Sequence, residues 1–130
     1  MPPSDTSSST RMRLAVVSED EILLRYLICE VLKSEGLHVE AFATADEALE
    51  YLDRHAHGVS VVVSNVRMPG SITGLELARL VAERWPALPV ILMSGYAGLE
   101  IELPPGVPFL RKPWTLDQLS DAVRHVLPLC

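Results

Sequence analysis

The stretch Val59-Ser60-Val61-Val62-Val63-Ser64-Asn65-Val66-Arg67-Met68-Pro69-Gly70 decides how this chain is read. Its first six residues are β-branched and almost continuously apolar, the pattern of a strand buried on both faces of a parallel sheet. The run then breaks at Asn65 into a loop that contains Pro69 and Gly70. A polar residue at the end of such a strand lies where open α/β sheets place their ligand sites, beyond the carboxyl ends of the strands.

Working outward, strand and helix patterns alternate on both sides of this stretch. Leu14 to Ser18 reads as a first strand, and Glu21 to Lys33 as a helix closed at Gly36, a residue suited to a left-handed cap. Leu37 to Phe42 is a weaker strand of edge character. Thr44-Ala45-Asp46-Glu47 has capping-box spacing, in which threonine and glutamate side chains each satisfy a backbone donor, and opens a helix to about Arg54. Thr73-Gly74-Leu75-Glu76 is a second box. Its helix carries Leu77, Ala78, Leu80, Val81 and Trp85 and is stopped by Pro86.

Leu88 to Met93 is the fourth strand and Val107 to Arg111 the fifth. Between them Gly95 to Gly106 leaves room for two helical turns at most, with Leu99, Ile101 and Leu103 as candidate core. A third box, Thr115 to Gln118, opens a final helix whose Leu116, Leu119, Val123, Val126 and Leu127 form one apolar stripe. The alternation predicts a single α/β domain, a (βα)5 flavodoxin-like doubly wound sheet of five parallel strands.

Composition bounds the rest. The chain has 130 residues, 48% of them hydrophobic, enough for one core and too few for two domains of ordinary size. Residues 1–11 read as a disordered N-terminal tail rich in serine and proline, 12–127 as the domain and 128–130 as a C-terminal tail. The tail lacks the apolar core of a secretory signal, and no apolar run reaches the roughly 18 residues of a membrane span. A net charge of −6 argues against DNA and anionic membrane as partners. Two cysteines, Cys29 and Cys130, cannot build a disulfide framework and suit a reducing, cytoplasmic setting. Cys29 falls in the apolar pattern Ile22, Leu23, Tyr26, Leu27 to Val31 and reads as a buried, inert thiol. His55 and His57 lie on a polar connector without further metal ligands nearby.

Polar residues recur at the other strand ends. Glu19-Asp20 follows the first strand, Ser94 the fourth and Lys112-Pro113 the fifth. Each has a bland reading of its own: an acidic pair complements a helix dipole, Ser94-Gly95 makes a turn, Lys112-Pro113 is a surface loop. Together, in this order, with Val66-Arg67-Met68-Pro69-Gly70 and Phe109-Leu110-Arg111-Lys112-Pro113, they resemble the receiver domain of two-component response regulators. The resemblance covers nearly the whole chain after the tail.

That resemblance implies a site. The Asn65 position is where the family carries the aspartate that accepts a phosphoryl group. Glu19, Asp20 and the backbone carbonyl of Arg67 would hold Mg²⁺, an octahedral oxygen-seeking cation, and Ser94 and Lys112 would contact the phosphoryl oxygens. Pro113 shapes the loop after the fifth strand. Phe109 matches the switch aromatic that couples to the Ser94 position, without a hydroxyl to fix either state.

Asn65 departs from this pattern in a way that decides the expectation. An amide is too poor a nucleophile to form an acyl phosphate, and the loss of one carboxylate weakens Mg²⁺ binding. Removing a third negative charge also relieves repulsion among carboxylates. The sequence therefore predicts a stand-alone, unphosphorylatable receiver, not an enzyme and without an organic cofactor. It would act by contact with a histidine kinase, phosphotransfer protein or other signalling protein, as a monomer or weak homodimer. The amide matches an unphosphorylated side chain in size, which predicts an inactive-like state. The alternatives are an ordinary phospho-accepting receiver whose aspartate was replaced by mutation, a dimerisation module, and, remotely, a small-ligand binder or enzyme on a flavodoxin-like scaffold. The last finds no P-loop and no G-x-G-x-x-G in the sequence.

Overall fold

A computed structural model of the chain describes residues 13–94, 107–111 and 114–127. The expectations for the tails, for Gly95 to Gly106 with Leu99, Ile101 and Leu103, for Lys112, Pro113 and Cys130 lie outside the described residues. Five strands form one parallel sheet: β1 (Leu14–Ser18), β2 (His38–Phe42), β3 (Val59–Asn65), β4 (Val90–Ser94) and β5 (Phe109–Arg111). Four helices are described: α1 (Ile22–Ser34), α2 (Ala45–His55), α3 (Gly74–Arg84) and α4 (Leu116–Val126).

The strand order is β2-β1-β3-β4-β5. The chain therefore turns one way from β1 to β2 and the other way from β1 to β3. Right-handed crossovers on either side of this reversal place α1 on one face and α2 and α3 on the other, and open a crevice at the carboxyl ends of β1 and β3. This is the doubly wound, flavodoxin-like arrangement expected from the sequence, with β2 at the edge.

Strand alternation divides the core into two layers. Ala15, Val17, Val61, Val63, Ile91 and Met93 point to the side where Ile28, Val31 and Leu32 of α1 meet Leu119 and Val123 of α4. Val16, Val62, Val90 and Leu92 point to the other, against Ala45, Ala48 and Leu52 of α2 and Leu77, Ala78 and Val81 of α3. A fully buried aliphatic side chain such as Ile28 or Leu32 contributes about 1.5–3 kcal/mol through the water it sheds.

Helix ends follow local chemistry. The boxes at Thr73/Glu76 and Thr115/Gln118 are both reciprocal. At α2 only half of the expected box forms: Glu47 N–H donates to Thr44 Oγ1, but the Thr44 hydroxyl donates to the Glu47 carboxylate, which does not reach back to the backbone. Gly36, at φ +87°, ends α1 with Leu37 N–H donating to the Leu32 carbonyl and Gly36 N–H to Lys33, the paired bonds of a left-handed cap.

Burial departs from the apolar sequence patterns at three places. The stripe Ile22, Leu23, Tyr26 and Leu27 of α1 is exposed, at 70%, 73%, 62% and 44%, and the helix buries the face of Ile28, Val31 and Leu32 instead. Cys29 is half-buried beside that core, not enclosed, and burial pushes its thiol pKa up. Leu116 is likewise exposed at 47%, because it occupies the first turn of α4 above the layer formed by Leu119 and Val123.

Candidate functional site

The strand that carries Asn65 continues one residue further than its apolar run, so Asn65 belongs to β3 and pairs with Met93 of β4. On the other side of β3, Ser64 is the register partner of Ser18 of β1. Glu19 follows Ser18 directly, and its N–H donates to the Phe42 carbonyl, which extends the β1–β2 ladder by one bond. Backbone pairing alone thus brings the residues at the ends of β1 and β3 side by side at the reversal point of the sheet.

Glu19 is almost wholly buried, at 1% exposure. Its carboxylate is held on two sides: Asn65 Nδ2 donates to Oε1 at 3.1 Å and the Glu21 backbone N–H donates to Oε2 at 3.0 Å. Glu21 precedes α1 and uses no side chain as a cap, so the Glu19 carboxylate supplies an acceptor at that helix entrance. Arg25 Nη1 donates to the Glu19 carbonyl at 2.9 Å. Burial raises the Glu19 pKa above the ordinary carboxylate value. The Glu21 N–H and the Asn65 amide oppose that rise, and the neighbouring Asp20 carboxylate adds to it.

The oxygen of the amide, Asn65 Oδ1, accepts from the Arg67 N–H at 3.4 Å. These two partners fix the amide's orientation, since a carboxylate needs a donor and a backbone N–H needs an acceptor. Asp20 is exposed and, with Arg67, Met68, Pro69 and Thr73, lines an open cleft of about 500 Å³. Ser94 ends β4, buried, one residue past the partner of Asn65, and Val66 N–H bonds the Met93 carbonyl at 2.7 Å beside it. Phe109 opens β5, pairs with Leu92 and packs half-buried against the α2/α3 layer, with the Arg111 guanidinium 5.6 Å from its ring centre.

Glu19, Asp20, Asn65 and Arg67 are therefore assembled at one place, with Ser94 on the next strand. Two residues that sequence reasoning did not single out complete the setting. Asp46, in the first turn of α2, accepts from Ser71 N–H and Ile72 N–H and so ties the loop that follows Arg67. Gly74 begins α3 against the Asn65 carbonyl, and its N–H donates to the Val66 carbonyl at 2.8 Å. Glycine in a helical first turn was the one signal available for it, since glycine is a poor helix former. Asp46 gave none, because an acid in a first turn reads as a dipole device.

Fold and site together define a class: a five-stranded doubly wound α/β domain with an acidic, amide-bearing crevice at the carboxyl ends of its first and third strands. The chain belongs to the response regulator receiver domain family, whose model matches residues 15–124. It is 34% identical over 125 residues to the hydrogenase transcriptional regulatory protein HoxA of Cupriavidus necator, an alignment covering 92% of this chain and 25% of that protein. The chain spans between about a quarter and about half of the length of the curated relatives it matches. Among solved structures, a response regulator receiver protein from Sinorhizobium medicae superposes with a TM-score of 0.82 at 29% identity, covering 88% of this chain and 94% of that one. TrrA of Thermotoga maritima, solved in complex with Mg²⁺ and BeF, gives 0.76 at 26% identity, covering 89% and 100%. Receiver domains are signalling domains that meet histidine kinases and other signalling proteins, and they bind Mg²⁺ at their phosphorylation site.

The donor set here does not fit such a cation as arranged. Both Glu19 oxygens already accept N–H bonds, and the group aimed at Oε1 is itself a donor. Among the described residues no three His, Cys, Asp or Glu side chains come together as a metal site. No helix among them is long and apolar enough to cross a membrane.

Proposed function

We propose that this chain is a receiver of two-component phosphorelay signalling that takes no phosphoryl group itself and acts through protein contact in the cytoplasm. The observation that carries this reading is the amide of Asn65, at the end of β3, donating to the buried carboxylate of Glu19. An acyl phosphate forms when a carboxylate oxygen attacks phosphorus and the donor's leaving group departs. The amide's nitrogen lone pair is delocalised into its carbonyl and its oxygen carries no full charge, so that attack has no competent nucleophile. In this reading Asn65 stands at the phosphoacceptor position, Ser94 and Lys112 at the phosphate-contacting positions, and Phe109 at the switch position. Pro113 stands at the family's loop position after the fifth strand, and Glu19, Asp20 and the Arg67 carbonyl stand at the metal positions.

The partner is a histidine kinase, a phosphotransfer protein or another signalling protein. A contact surface adjoins the site: Ile22, Leu23, Tyr26 and Leu27 form an exposed apolar stripe beginning three residues after Glu19. Apolar side chains gathered on one helix face, rather than scattered singly, mark interaction surfaces.

Intact-mass spectrometry after incubation with Mg²⁺ and a small phosphodonor tests the proposal. The expected result is a phosphate adduct on the Asn65→Asp variant and none on the unaltered chain. An adduct on the unaltered chain would overturn it.

A further inference from the structure

We infer that the Asn65 amide takes the place of the divalent cation at Glu19, so that this site is closed by a hydrogen bond and does not take up Mg²⁺. The inference rests on the assignment of this crevice as the receiver site. It goes further than a loss of charge, because it concerns which group occupies the space beside Glu19.

A carboxylate at 1% exposure needs compensation, since an unpaired buried charge is costly. In a site with a carboxylate at position 65, the two acids would face each other, and a cation between them is the natural compensation. Here the compensation is covalently part of the chain. Asn65 Nδ2 donates to Oε1 at 3.1 Å, and the Glu21 N–H occupies Oε2 at 3.0 Å. For Oε1 to ligate a cation the amide would have to turn its oxygen inward. That rotation would break its donation to Glu19 and its acceptance from the Arg67 N–H together, and would set an NH₂ group against that backbone N–H. Asp20, exposed at the cleft beside Glu19, would then be the one carboxylate turned to solvent, and a single exposed carboxylate does not hold Mg²⁺ against its hydration shell.

Two explanations for weak metal binding separate cleanly in Asn65→Ala. If charge loss were the whole cause, alanine would leave the site as unresponsive as asparagine. If the amide occupies the cation's place, alanine uncovers Glu19 and creates a response that the unaltered chain lacks.

The experiment is thermal unfolding of the unaltered chain, Asn65→Ala and Asn65→Asp in EDTA and in millimolar Mg²⁺. The expected result is no Mg²⁺-dependent shift for the unaltered chain, lower melting temperatures for both variants in EDTA, and recovery of each by Mg²⁺ through binding to the folded state. A rise in the unaltered chain equal to that in Asn65→Ala would overturn the inference, as would an Asn65→Ala variant indifferent to Mg²⁺. Should Asn65→Ala fail to fold in EDTA, nitrogen-15 spectra of the unaltered chain decide the question. The Asn65 NH₂ resonances, identified by their absence from Asn65→Asp, are expected to stay fixed on Mg²⁺ addition, and saturable movement would overturn the inference. The phosphate-adduct experiment is independent of these outcomes: an adduct on the unaltered chain would remove the functional reading, whereas a Mg²⁺ response without an adduct would remove the inference alone.

Discussion

Gly74 lies so close to Asn65 that a β-carbon on the glycine would overlap the Asn65 carbonyl oxygen and stand 2.7 Å from Ser64 Oγ. The first turn of α3 is thereby pressed against the strand end that carries the site, with the Gly74 N–H bonded to Val66. Alanine is the better helix former by about 1 kcal/mol, yet it would force these elements apart. Gly74→Ala is expected to destabilise the fold by about 1–3 kcal/mol, the usual cost of overpacking. Urea denaturation measures it, and an unchanged or raised midpoint would show that α3 can shift without penalty.

Asp46 reaches from α2 to the loop behind Arg67, accepting from Ser71 N–H at 3.0 and 3.2 Å and from Ile72 N–H at 3.4 Å. Gly70 precedes these residues at φ +108°, and any β-carbon there would run into the Asp46 carboxylate. Asp46→Ala should release the loop without unfolding α2, whose Thr44 cap is separate. Hydrogen exchange at the Ser71 and Ile72 amides is expected to accelerate about tenfold, the equivalent of one charge-assisted hydrogen bond near 1.4 kcal/mol. Unchanged exchange at both amides would refute the tie.

Glu35 caps α1 and binds α4: Arg124 Nε and Nη2 donate to its two oxygens at 2.8 and 2.9 Å, and Ser120 Oγ donates at 2.9 Å. The Arg124 hydrogen bonds hold the Glu35 pKa below the ordinary carboxylate value, with desolvation opposing and Ser120 assisting. In the interval between the lowered and the ordinary value the unfolded chain binds more protons than the folded one, so stability rises with pH there. The contribution is complete above the ordinary value and is lost as pH falls through the lowered one. Arg124→Ala should therefore lower the melting temperature near neutrality, with the difference shrinking in acid. A difference constant with pH would rule out this coupling.

The two faces of α1 should respond oppositely. Leu23 is 73% exposed and Ile28 is fully buried. Leu23→Arg is expected to leave stability within about 0.5 kcal/mol, whereas Ile28→Ala should cost about 2–5 kcal/mol. Leu23→Arg should also weaken capture of a cognate kinase or phosphotransfer partner, if the stripe serves as proposed. Comparable losses of stability from both changes would mean that the exposed stripe is packed in solution.

Legibility in the sequence followed the range of the interaction that set each feature. The strand of Val59 to Ser64 and the boxes at Thr73 and Thr115 are local, because pleat alternation and capping involve residues a few positions apart. The box at Thr44 formed only in part, because the Glu47 side chain accepts from the threonine hydroxyl instead of the backbone. In α1, apolar residues occur on more than one face, at Ile22, Leu23, Tyr26 and Leu27 and again at Ile28, Val31 and Leu32. Periodicity has no means of choosing between such faces, so Cys29, within that pattern, read as buried and is only half so.

The sequence by itself determined the parallel doubly wound sheet, the acidic pair after β1 and the amide at the end of β3, since each is written in contiguous residues. Only the tertiary structure decided that Asn65 donates to Glu19, that Asp46 holds the loop beyond Arg67 and that α1 turns Leu23 outward. Those relations join residues far apart in the chain, and they exist only once the strand order sets β1 beside β3 and the helices have competed for the two faces of the sheet.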